Sequence, residues 1–80
     1  MRVFMELNIE ERIIQLLANL NAIRLEKALD IMALKDVIKA KDEDVALIVG
    51  GLQTKGYLTM EGEKVYLTKA GILRAFSYYS

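Results

Sequence analysis

Gly51-Leu52-Gln53-Thr54-Lys55-Gly56-Tyr57-Leu58 is the stretch in which the chain changes period. Up to Leu52 the apolar residues recur at helical spacing, with Val45, Ile48, Val49 and Leu52 on one stripe. Gly56 stands just past the last periodic residue, where a glycine tolerates the left-handed conformation that ends many helices. From Tyr57 the order Tyr57-Leu58-Thr59-Met60, Glu61-Gly62, Glu63-Lys64-Val65-Tyr66-Leu67 suits two short strands joined by a turn. The octapeptide therefore predicts the end of a helix followed directly by a β-hairpin.

Downstream, a turn at Glu61-Gly62 sets Leu58 opposite Val65 and Tyr57 opposite Tyr66. Thr68 then caps a last helix, over residues 69–80, whose Ile72, Leu73, Phe76 and Tyr79 make one stripe. Upstream, Asp42 is a candidate cap for the helix that ends at Gly56, and Glu43 and Asp44 suit its positive end. Residues 25–40 cannot form one helix, because Leu25, Ala28, Leu29 and Met32 face opposite to Ile31, Leu34, Val37 and Ile38. A break at Asp30 resolves the conflict, with Asp30 capping a helix from Ile31 to Ala40. The alternation of Ile23, Leu25, Lys27 and Leu29 suits a short strand, and Leu25 with Leu29 suits one helical turn; of the two, Ile23 to Leu29 reads as an irregular segment ending in a short strand. Lys41 and Asp42 leave only a tight turn before the next helix, a helix-turn-helix arrangement. At the front, Asn8 with Glu11 has the form of a capping box, so a first helix starts at Ile9. Its stripe is Ile9, Ile13, Leu16, Leu17 and Leu20, with Arg12, Gln15 and Asn19 left for water, and it ends near Asn19 to Asn21. The expected fold is α+β, mainly α: three helices, a hairpin and a C-terminal helix in one domain spanning residues 1–80, with its core at about 8–73.

Composition narrows what such a domain can do. Eighty residues allow a single domain, and 54% apolar residues are enough to fold it. Eleven basic and eleven acidic residues cancel, so no global field draws the chain to phosphate or to a membrane surface. With no Cys and no His, disulfide frameworks, the common zinc sites and mechanisms needing imidazole or thiolate are excluded. The expectation is a protein that is not an enzyme and takes no cofactor or metal. No run approaches the length of a membrane span, and residues 1–7 lack the pattern of a signal peptide, so a cytoplasmic location is expected.

The order helix, helix, tight turn, helix, glycine stop, hairpin resembles the winged helix-turn-helix superfamily over about Asn8 to Leu73. Residues 51–58 look like that family's passage from recognition helix to wing, and Leu67-Thr68-Lys69-Ala70-Gly71 is similar to the Leu-Thr-x-x-Gly that often follows the wing in small regulators. The resemblance implies a DNA-binding transcriptional regulator. The third helix, Glu43 to Lys55, would lie in the major groove and the hairpin would touch the flanking backbone.

Under that implication Lys35, Lys39, Lys41, Lys55 and Lys64 are the candidate phosphate contacts on double-stranded DNA, and Gln53 with Thr54 the candidate base readers. The residues themselves offer another reading. Opposite the buried stripe of the third helix lie Glu43, Leu47, Gly50 and Thr54, flanked by Asp44, Ala46, Gly51 and Gln53, with no cation pointing outward. Ala46, Leu47, Gly50 and Gly51 are accordingly candidates for binding a protein partner. Asp42-Glu43-Asp44 diverges around a helix end and reads as capping and dipole complementation rather than a metal or catalytic site. Gly50-Gly51 lacks phosphate-loop spacing, and its helical cost of roughly 1 kcal/mol per glycine points to close approach of another backbone, from the second helix or from a partner, ahead of a groove for nucleic acid. The aromatics read as core and hairpin packing. The tail is the exception: Phe76, Tyr78 and Tyr79 exceed what one terminal turn buries, and with Ile72 and Leu73 they make a candidate homodimer interface.

Overall fold

The computed structural model describes residues 8–78. Met1 to Leu7, with Phe4 among them, and Tyr79 lie outside the described residues. Four α-helices and a three-stranded antiparallel sheet follow in the order α1 (Ile9–Asn19), β1 (Leu29–Asp30), α2 (Ile31–Ile38), α3 (Asp42–Thr54), β2 (Leu58–Glu61), β3 (Lys64–Leu67) and α4 (Lys69–Ser77). The chain is α+β and mainly helical.

α1 opens with the capping box the sequence spells out. The Asn8 side chain accepts from the Glu11 amide at 2.8 Å, and the Glu11 carboxylate accepts from the Asn8 amide at 3.1 Å. It closes with Asn21 at φ 59°, the Asn21 amide bonded to the Ala18 carbonyl and the Ala22 amide to that of Leu17. The buried face is wider than one stripe. Ile13, Ile14 and Leu17 are fully buried, Gln15 is only 3% exposed where the periodicity assigned it to water, and Leu20 faces out. The reason is position: α2, α3, α4 and β3 all pack against α1, so neighbours cover more than one of its sides. The Gln15 amide meets the Asn19 side chain at 3.3 Å, which supplies the bond its burial demands.

Between α1 and α2 the chain makes one 3₁₀ turn, Leu25–Lys27, and then β1, as the irregular segment with a terminal strand anticipates. Asp30 ends the strand and caps α2, its carboxylate accepting from the Met32 amide at 2.9 Å. α2 stops at Ile38, two residues short of expectation, because Lys39 turns left-handed at φ 58° to make the tight turn. Ile31, Leu34 and Ile38 are buried, whereas Val37 is exposed. Asp42 is not the cap of α3. Lys41 occupies that position without a side-chain bond, and Asp42, Glu43 and Asp44 together form the first turn.

Gly56 ends α3 at φ 82°, with its amide bonded to the Gln53 carbonyl and the Tyr57 amide to that of Leu52. The hairpin register differs from the expected one. Leu58 pairs with Leu67, Thr59 with Tyr66, Met60 with Val65 and Glu61 with Lys64, so the two-residue loop is Gly62-Glu63 with Gly62 at φ 61°, and Tyr57 stands outside the ladder. The slip is of two residues, which preserves the alternation: Leu58, Val65 and Leu67 still face the core. β1 adds to the other side of β3, giving the order β1-β3-β2.

In α4 the inward residues are Gly71, Ala75 and Tyr78, while Ile72 packs half-buried against the core and Leu73 and Phe76 are each 62% exposed, so of the expected stripe Leu73 and Phe76 are rotated outward. Gly71 sets that rotation, since a Cβ there would overlap the Tyr57 carbonyl and lie 2.9 Å from its carbon. Gly71 is thus the glycine with the close backbone approach. Around Gly50 and Gly51 a Cβ would meet nothing within 4 Å among the described residues, so the expected approach does not come from α2.

Candidate functional site

α2, α3 and the hairpin enclose a shallow groove of about 220 Å³. Its residues come from three elements. Ile31, the first residue of α2, and Met60, on the inner face of β2, meet one stripe of α3 made of Ala46, Val49, Gly50 and Gln53, and Lys35 stands one turn along α2. The β1–α2 junction positions Ile31: its amide donates to the Glu63 carbonyl at 2.7 Å and holds the start of α2 against the hairpin loop. The missing side chain at Gly50 lowers one wall. Beside the groove Leu47 is 75% exposed, the most exposed of the large apolar residues among the described residues.

The polar equipment is sparse. Lys35 is half-buried, and among the described residues no carboxylate pairs with it. Gln53 supplies the only other side-chain polar group of the lining. The Thr54 hydroxyl is turned back onto its own helix, donating to the Gly50 carbonyl at 3.0 Å. Lys55 leaves the face altogether, its ammonium 3.0 Å from the Glu10 carboxylate on α1. Lys39 and Lys41 are exposed at the α2–α3 turn, and Lys64 lies in β3 opposite Glu61 on one side and Asp30 on the other. From Ile31 to Thr54 and across the hairpin, four lysines (35, 39, 41, 64) stand against six carboxylates (36, 42, 43, 44, 61, 63). The structure thus brings Lys35, Gln53, Ala46 and Gly50 together with Leu47 beside them, and it separates Lys55 from them.

Ile31 and Met60 are groove residues that helical or strand periodicity assigns simply to the core. Nothing in the local pattern marks them, because the groove exists only where three elements meet. On the opposite side of the molecule Arg74 lies over the rings of Tyr57 at 5.9 Å and Tyr78 at 5.5 Å, a cation–π sandwich whose one sequence trace is the i, i+4 spacing of Arg74 and Tyr78. Burial pushes the Tyr78 phenol above its ordinary pKa, against the opposing pull of Arg74. The Tyr66 hydroxyl donates to Glu61 across the hairpin, and that bond raises its pKa too.

Among the described residues no helix is long and apolar enough to cross a membrane, and no cluster of three metal-ligating side chains occurs. Comparison of the chain with family models, with curated proteins and with solved structures finds no match.

Proposed function

We propose that this chain is a winged-helix interaction module that docks another protein on the face formed by α2, α3 and the hairpin. One observation carries the reading: where a major-groove reader offers cations, α3 offers an apolar groove with Leu47 exposed beside it. Acidic residues outnumber lysines over the same elements, which opposes phosphate. The exposed Leu73 and Phe76 support a homodimer through α4 within the same proposal, separate from the docking face.

Duplex DNA is the second reading, that of a small transcriptional regulator. Gln53 at the groove edge and the unpaired Lys35, Lys39, Lys41 and Lys64 favour it. Leu47→Lys separates the two. Docking requires that a protein segment selected for binding to the natural chain lose affinity about tenfold or more in the variant. DNA reading requires that the added cation strengthen binding to random duplex DNA, and that result overturns the docking proposal.

A further inference from the structure

The groove defines its occupant more closely, on the footing of the docking reading. At about 220 Å³ it is smaller than the roughly 300 Å³ at which small-molecule pockets begin, and suits one large apolar side chain. Its floor is apolar, with Ile31, Val49 and Met60 drawn from three different elements. Its one charged group is Lys35, a half-buried residue with no carboxylate beside it among the described residues. A charge at the edge of an apolar groove is complemented by an opposite charge brought within ion-pair distance. Among the described residues no anion lines the groove to serve that role.

Gly50 adds an independent observation. A glycine in the middle of a helix costs roughly 1 kcal/mol relative to Ala. No packing inside the chain explains it, since a Cβ there would touch nothing within 4 Å. Gly50 is one of the lining residues, and its missing side chain leaves that part of the groove wall low.

We infer that the occupant is a helical segment of a partner protein presenting a leucine- or phenylalanine-sized side chain to the groove, with a carboxylate three or four residues away that pairs with Lys35. Spacing of three or four is what places two side chains on one face of the partner's helix. A long acidic run does not fit, because Asp42, Glu43 and Asp44 occupy the first turn of α3 and repel it. The partner is therefore amphipathic with a local acid, not polyanionic.

Selection of displayed 16-residue peptides on the full chain tests this, followed by binding measurements on Lys35→Glu and Gly50→Leu. Gly50→Leu points into open space, and an unchanged helical spectrum verifies that each variant folds. Enriched peptides are expected to carry an apolar anchor with Asp or Glu at three or four residues' distance. They should bind Lys35→Glu and Gly50→Leu at least about tenfold more weakly, and a peptide with its acid changed to Lys should recover affinity for Lys35→Glu. Enriched peptides that need Gly50 but bind Lys35→Glu as well as the natural chain overturn the carboxylate partner and leave the docking face standing. Peptides indifferent to both substitutions, or no enrichment at all, overturn the docking face itself.

Discussion

Gly71 and the Gly50-Gly51 pair show how one residue type serves opposite ends. Gly71 lies where a side chain would collide with the Tyr57 carbonyl, so Gly71→Ala is expected to destabilise the fold by about 2 kcal/mol or more, because backbone rather than a mobile side chain must yield. Gly50→Ala and Gly51→Ala meet open space and gain helix propensity, so each should stabilise by about 0.5–1 kcal/mol. Thermal unfolding of the three variants measures both signs; a stabilised Gly71→Ala or a strongly destabilised Gly50→Ala contradicts the assignment. The caps Asn8, Asp30 and Thr68 are legible in the sequence because each acts within three residues of itself. The pairing of Lys55 with Glu10 is not, since the two stand 45 positions apart.

Among elements, the junction from α3 through the hairpin to α4 is the tightest. The Thr68 hydroxyl accepts from the Gly71 amide at 3.1 Å and donates to the Gly56 carbonyl, while the Thr68 amide donates to the Tyr57 carbonyl at 3.1 Å. Thr68→Ala removes both hydroxyl bonds and should cost about 1–2 kcal/mol in denaturant unfolding, whereas Thr68→Ser should retain most of the stability. No difference between the two would show that the hydroxyl contributes nothing. The elements and their order are readable from period changes, but their rotation and register are set by contacts between segments. Parity puts Leu58, Val65 and Leu67 inward in either hairpin register, and the register adopted places Gly62 first in the loop at φ 61°. Helical spacing cannot tell which face of α4 turns inward until Gly71 meets Tyr57. Buried Tyr78, at the end of α4, gives this packing a pH signature. Its raised phenol pKa means that the folded chain keeps a proton the unfolded chain releases near pH 10, so stability present below about pH 10 is lost as pH rises beyond it. In Tyr78→Phe that alkaline loss should be shallower; identical pH profiles would contradict it.

At the scale of the whole molecule two surfaces stand apart, the groove face and the outer side of α4. Neither is legible from one segment. The groove needs Ile31, Met60 and Gly50 from three elements, and α4 presents Leu73 and Phe76 only because Gly71, Ala75 and Tyr78 turn inward. If α4 joins two copies, Leu73→Glu with Phe76→Glu should halve the mass seen in sedimentation while the fold persists. A natural chain that sediments as a monomer at high concentration removes the dimer and leaves the groove untouched. The central claim is that the face of α3 meets protein and not DNA, and the salt dependence of random duplex binding tests it most directly. On this face four lysines, without a carboxylate partner among the described residues, allow a slope of log affinity against log salt no steeper than about −3.6 per subunit, and six neighbouring carboxylates oppose even that. The expected result is no measurable duplex binding at about 50 mM salt, where nonspecific attraction is strong. Binding with a slope near −3.6 that flattens by about one unit in Lys41→Ala would contradict the claim and make the α2–α3 turn a phosphate contact.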